Sequence, residues 1–95
     1  MTDFAANIHF RAKPPSDIAG GYGWFLGRYD NWAAFEDEIA RQLQGLGYFY
    51  VECLELIEFT AEADLNEGEQ RELFRELDVR PIQWRTLHTY ARDDA

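Results

Sequence analysis

Trp32, Phe35, Ile39, Leu43 and Leu46 recur at spacings of 3, 4, 4 and 3 residues. That pattern puts all five on one narrow stripe of an α-helix and on no single face of a strand. Asp30 or Asn31 is suited to cap the start, because a short side-chain oxygen there accepts a backbone N–H that has no partner inside the helix. Glu36, Asp37 and Glu38 follow in the early turns, where the helix dipole favours negative charge. Gly45 predicts a left-handed stop that folds Leu46 back on the last turn. An amphipathic helix of this kind needs an apolar surface to cover, and the rest of the chain has to supply it.

Asn7 to Ala12 alternates, with Ile8, Phe10 and Ala12 on one side and Asn7, His9 and Arg11 on the other, which predicts a half-buried strand. Lys13-Pro14-Pro15-Ser16-Asp17 ends it, since neither proline can donate to a ladder. Gly20, Gly21, Gly23 and Gly27, interleaved with Tyr22, Trp24, Phe25 and Leu26, predict a loop of tight turns around aromatic anchors, with room for a short strand at Trp24–Leu26. Tyr48 to Thr60 has two readings. Glu52, Glu55, Glu58 and Glu62 at spacings of 3, 3 and 4 make one acidic helical face, whereas Tyr48-Phe49-Tyr50-Val51 favours a strand. Strand is preferred, as one long element with a bulge near Leu54-Glu55. Asn66-Glu67-Gly68-Glu69 resembles a capping box and opens a second helix through Leu73, Phe74 and Leu77 to about Asp78. From Ile82 to Tyr90 the residues alternate as in a final strand, but Pro81 could equally be the first residue of a helix with Trp84, Leu87, His88 and Ala91 on its face. The strand reading gives the order β, loop, α, β, α, β, and the helix reading a helix-turn-helix ending. The expected class is α+β, one domain over residues 1–95, with a small single-layer sheet of three to four strands packed against two helices.

Composition narrows the function classes. The 95 residues carry 18 acidic and 9 basic side chains, a formal charge of −9, with 46% hydrophobic and 16% aromatic residues. Disordered acidic chains are aromatic-poor, so this one is expected to fold. A chain of this size buries roughly 60–65% of the surface its unfolded form exposes, and net stability on the order of 5–10 kcal/mol follows. No run approaches the roughly 18 apolar residues of a membrane span, and Met1 to Asn7 shows no secretory signal. The single cysteine, Cys53, cannot make an internal disulfide, which suits a reducing, cytoplasmic setting. A sequence pI near 4.5 disfavours direct nucleic-acid binding, because phosphate contacts need clustered Lys and Arg.

Catalytic chemistry finds few candidates. Ser16 is the only serine and has no nucleophile elbow around it. Cys53 lies in an apolar segment, where an inert thiol is the default. His9 and His88 could meet only if the two end strands paired. Asp64-Leu65-Asn66-Glu67-Gly68 starts like a calcium loop but has Glu69 at the glycine position and Arg75 at the bidentate one. Gly21, Gly23 and Gly27 miss the phosphate-loop spacing and lack its lysine. No catalytic residue, metal site or cofactor is expected.

Charge distribution is more informative. Between Glu52 and Asp78 stand ten carboxylates against Arg71 and Arg75, whereas residues 1–29 and 79–95 are each at +1. A field of one sign speeds encounter with a basic partner and discourages wrong ones. A charge run of this kind also serves as a plain solvated face.

Gly27-Arg28-Tyr29-Asp30-Asn31-Trp32-Ala33-Ala34-Phe35-Glu36-Asp37-Glu38-Ile39 resembles the G-x-N-[LW]-D-A-[FLW]-x-D-x-L segment of barstar-type ribonuclease inhibitors, with matches at Asn31, Trp32, Ala34, Phe35, Asp37 and Ile39. The resemblance implies a small acidic cytoplasmic protein with helices on a three-stranded parallel sheet. It also implies an inhibitory helix that offers carboxylates to a basic nuclease site. Ala33 stands where the family has a partner-binding aspartate, so Asp37 alone would be such a carboxylate here. Without that role, Asp37 would form an i,i+4 pair with Arg41.

The expected function is therefore a non-enzymatic inhibitor or immunity-type protein that binds a basic protein, a nuclease or another nucleic-acid-handling factor, through Asp37, Glu52, Glu55, Glu58 and Glu62. The alternatives are a regulatory or assembly domain whose contact is mainly apolar, through the Tyr22–Phe25 loop with Trp24 as anchor or through an exposed strand edge, and a helix-turn-helix regulator formed by residues 72–85.

Overall fold

A computed structural model describes residues 1–14, 17–61, 65 and 68–91 of the chain. Strands β1 (Thr2–Ala12) and β2 (Ile18–Tyr29) come first, followed by helix α1 (Trp32–Gly45) and strand β3 (Tyr48–Phe59). Helix α2 (Gly68–Glu76) and strand β4 (Ile82–Ala91) complete the order. Among the described residues the strands form one sheet in the order β3-β1-β2-β4, and every neighbouring pair is antiparallel. The α+β class with one sheet and two helices holds, whereas the parallel sheet implied by the barstar resemblance is not the arrangement of this chain. None of the described helices is long and apolar enough to cross a membrane.

The two faces of the central pair, β1 and β2, explain the architecture. Phe4, Ala6, Ile8 and Phe10 of β1 are buried on one face with Phe35, Ile39 and Leu43 of α1. Ala5 of β1 and Leu26 of β2 are buried on the other face with Leu73 of α2 and Leu77 just beyond its end. The sheet is therefore the middle of three layers, and strands covered on both faces read as nearly continuous apolar runs rather than clean alternation.

The glycine-rich segment, expected as a loop, is strand β2. It pairs with β1 without a break from Thr2↔Tyr29 to Arg11↔Gly20. At Gly20, Gly21 and Gly27 rings and backbone carbonyls of neighbouring elements lie where a Cβ would stand. A Cβ at Gly21 would stand 2.7 Å from Cζ of Phe10, and one at Gly27 would run into the Phe35 ring. The chain order is accordingly β, β, α, β, α, β.

Helix α1 begins as its sequence requires, with the Ala34 N–H donating to Oδ1 of Asn31 at 2.9 Å. Its end differs from expectation. Gly45 is the last helical residue, Leu46 is largely exposed, and the left-handed turn falls at Gly47, with φ of 85°. There the Gly47 N–H reaches Gln44 O at 3.1 Å, while its carbonyl accepts from the Lys13 N–H at 3.3 Å, tying the helix end to the end of β1.

Segment 48–59 is a strand, and the expected bulge is present. Asn7 faces Glu55 while Ile8 faces Cys53, so Leu54 is the extra residue. A second irregularity leaves Val51 unpaired between Glu52, opposite His9, and Tyr50, opposite Phe10. The capping-box residues Asn66 and Glu67 lie outside the described residues, and α2 is described from Gly68.

The final segment is strand β4, so the helix reading of Pro81 and the helix-turn-helix alternative both fail. Pro81 instead precedes the strand and accepts the Arg28 N–H at 2.8 Å. Ile82 lies opposite Gly27 and Leu87 opposite Gly23, while Trp84 stacks on Phe25 with centroids 5.5 Å apart. Nearer the other end of the pair, the Tyr90 hydroxyl and the His88 carbonyl of β4 lie where a Cβ at Gly20 and at Gly21 would stand, a constraint that local sequence cannot display.

A candidate protein-docking surface

Internal ion pairs divide the acidic run into two unlike halves. Arg85 donates to Glu72 Oε2 and, at 3.1 Å, to Glu76 Oε1. Arg28 donates to Asp3 and Asp78 at 2.8 Å each, and the doubled contact raises the guanidinium pKa well above its ordinary value. Gln83, nearly buried, donates its side-chain amide to the carbonyl of Glu76 at 3.0 Å. These bonds tie α2 and its last turn to β2 and β4 and offset three of the carboxylates nearby.

The β3 half is different. Glu55 and Glu58 are exposed and have no basic partner among the described residues. Glu52 lies 3.7 Å from His9 Nδ1, an ion pair only when the imidazole is protonated. The Leu54 bulge sets their directions. Glu55 and Glu52 oppose Asn7 and His9, which share a face of β1, whereas Glu58 opposes Phe4 on the α1 side. The single acidic face that helical spacing would have produced therefore does not form. Glu62 lies outside the described residues.

Apolar residues accompany these carboxylates, a feature that the sequence reading missed. Phe49, Val51, Leu54 and Leu56 are 42%, 40%, 52% and 41% exposed, although β3 belongs to the core through Tyr48, Tyr50, Cys53 and Ile57. Phe49-Tyr50-Val51 and Leu54-Glu55-Leu56 carried the signal, because a terminal strand with extra residues cannot hide every apolar side chain. The result is a mixed strip of exposed apolar groups and of carboxylates without an Arg or Lys partner among the described residues, along the terminal strand of the described sheet.

The other candidates are dispersed. Asp37 is exposed on α1, and the expected partner Arg41 instead donates to Glu38 at 2.8 Å. Trp24 lies inside β2, half-buried against the cluster around Leu73, and is not a loop anchor. The rings of sheet neighbours Tyr22 and His88 lie 5.8 Å apart, tilted by 32°, and His9 shares a 2.8 Å hydrogen bond with Tyr90 Oη. The two histidines do not meet, because Tyr22 of β2 stands between them in the register, opposite His9 on one side and His88 on the other. Among the described residues no cluster of three or more His, Cys, Asp or Glu is placed to hold a metal ion. Ser16, Asp64, Asn66 and Glu67 lie outside the described residues.

Cys53 is half-buried, and its Sγ donates to the Glu55 carbonyl at 3.3 Å. Burial raises its thiol above the ordinary value of 9.0, which keeps it protonated and unreactive near neutral pH. Burial likewise raises the phenols of Tyr29 and Tyr50, the latter helped by its 2.7 Å hydrogen bond to Glu36 Oε2. The native state holds these protons more tightly than the unfolded chain does. Their stabilisation is complete below the ordinary thiol and phenol values of 9.0 and 10.0 and is lost as pH rises through the higher folded values. Thermal melts should accordingly fall in midpoint from pH 8 toward pH 11, and less steeply for Tyr50→Phe. A midpoint independent of pH over that interval would contradict the assignment.

Comparison with family models, with curated proteins and with solved structures finds no match.

Proposed function

We propose that this chain is a small acidic, non-enzymatic protein that docks onto a basic protein through β3 and neutralises it, as an inhibitor or immunity protein does. The observation that carries the reading is the contrast within the acidic run: Glu72, Glu76 and Asp78 are paired internally, whereas Glu55 and Glu58, beside exposed Leu54 and Leu56, have no basic partner among the described residues. Unpaired carboxylates supply long-range attraction, and adjacent apolar groups supply area to bury once contact is made. A net charge of −9 extends that attraction over the whole surface, with Asp37 contributing to it from α1. Proteins that handle nucleic acid, nucleases among them, fit as partners because their phosphate-binding surfaces are rich in Lys and Arg.

The test is capture of basic proteins from native lysate on immobilised protein, with elution by a salt gradient and identification by mass spectrometry. It is run in parallel with the triple variant Glu52→Gln, Glu55→Gln and Glu58→Gln. Glutamine preserves size and removes charge at exposed positions, so the fold should change by no more than about 0.5 kcal/mol. Association of the captured partner with the variant should be about tenfold slower at low salt, and its salt dependence should flatten. Unchanged kinetics at every salt concentration would rule this surface out.

A further inference from the structure

The acidic docking described above leaves open how a partner engages β3, and the sheet topology narrows the choice. As the terminal strand, β3 is hydrogen-bonded to β1 on one side, and among the described residues no strand occupies its other side. Each such strand presents a row of backbone donors and acceptors that an extended segment can complete. The extra residues Val51 and Leu54 interrupt the first part of that row. From Glu55 to Phe59 the pairing with β1 runs without a break, from Asn7 to Asp3, so these five residues keep the regular spacing that an added strand needs.

We infer that Glu55–Phe59 receives an extended segment of another protein as an added strand, with two Lys or Arg residues three positions apart in that segment. This rests on the acidic-docking reading and specifies its geometry. Glu55 and Glu58 are three residues apart and belong to opposite faces, as their partners Asn7 and Phe4 show. Side chains directly opposite each other across two strands share a face. Cations that face both carboxylates must therefore also be three apart, one on each side of the added strand. Between them, an apolar residue on the α1 side meets Leu56, which is 41% exposed.

A second copy of this chain fits poorly. Strand β3 contains no Lys or Arg, and the other terminal strand, β4, offers Arg85, already engaged by Glu72 and Glu76. Two copies would also bring together charges of −9 each. The complementary chemistry comes from a different, basic chain.

The experiment follows amide signals of the full chain by NMR during titration with a ten-residue peptide of Thr and Val that carries two lysines three apart. An isomer of the same composition has them two apart. Two further analogues of the first peptide are N-methylated at alternate residues, one on each edge. The three-apart peptide should shift and protect amides at 55–59 and bind about three- to fivefold more tightly than the isomer, the scale of one cross-strand charge pair. Methylation of the edge that faces β3 should weaken binding at least tenfold, and methylation of the opposite edge should leave it unchanged.

Equal binding by both methylated analogues, or by both lysine spacings, would overturn strand addition. So would the absence of shifts at 55–59 at millimolar three-apart peptide. In those cases, peptide binding or partner capture that is salt-sensitive and lost in the triple glutamine variant would still uphold acidic docking. Insensitivity of both to that variant would bring down the underlying reading as well.

Discussion

Phe35→Ala is expected to destabilise the fold by about 3–5 kcal/mol, the usual cost of emptying a buried phenylalanine site. Phe35 is fully buried and sits within an aromatic cluster: its ring stacks on Phe4 at 5.7 Å and on Tyr29 at 5.5 Å and meets Trp32 edge-on at 5.7 Å. The stripe of α1 reaches the sheet through this contact. Phe4 belongs to β1 and Tyr29 to β2, so the rigid central strands cannot close the void by a small helix shift. For a domain whose total stability is on the order of 5–10 kcal/mol, the variant should be close to half unfolded at modest urea concentrations. Urea denaturation followed by tryptophan fluorescence provides the measurement. A loss below about 1 kcal/mol would show that the cluster is not the principal anchor of α1.

Gly27→Ala acts on the same contact by crowding it. An added Cβ would stand 2.9 Å from Cζ of Phe35 and closer still to two other ring carbons. Phe35 has little room to retreat, since Phe4 and Tyr29 lie against it. Overpacking of this kind costs about 1–3 kcal/mol. It outweighs the roughly 0.4–1 kcal/mol that Gly→Ala gains from a stiffer unfolded chain where alanine fits. The cause can be isolated with Phe35→Leu, which frees space beside residue 27. The double variant should lose clearly less stability than the two single losses combined, by more than about 0.5 kcal/mol. Simple additivity would mean that the penalty arises elsewhere, for example in the strand backbone.

Both effects centre on the Phe35 ring, which joins α1 to the sheet, and contacts of this kind between separate elements divide what was legible in the sequence from what was not. Helix α1 was legible because its evidence is local: the apolar stripe repeats within two or three turns, and the Asn31 cap acts on a residue three positions away. Strand β3 and the bulge at Leu54 were legible from aromatic and β-branched content over a span too long for one regular ladder. Strand β2 was not. Glycine disfavours strands by its own propensity, and that penalty is offset here by close packing against Phe10, Phe35, Tyr90 and the backbone of β4, which leaves no space for a Cβ. The stop at Gly47 rather than Gly45 was likewise a choice between two competent glycines, and Gly47 also accepts a hydrogen bond from Lys13.

The matches that carried the barstar resemblance serve local purposes: Asn31 caps α1, while Phe35 and Ile39 fill its buried stripe. These demands fall on any helix that starts and packs in this way. They carry no information about whether the neighbouring strands run parallel.

For the candidate surface, the sequence by itself determined the quantity and neighbourhood of charge: ten carboxylates between Glu52 and Asp78, and no Lys or Arg in Tyr48–Phe59. Only the tertiary structure decided which of those carboxylates remain available. Arg28 and Arg85 come from β2 and β4 to engage Asp78, Glu72 and Glu76, contacts spanning up to 50 residues of chain. The direction of Glu52, Glu55 and Glu58 was decided in the same way, because each extra residue in β3 reverses side-chain parity and the ladder with β1 selects where it occurs. Charge is additive along a chain and can be counted from its letters, whereas ion pairing and strand parity depend on which distant segments become neighbours.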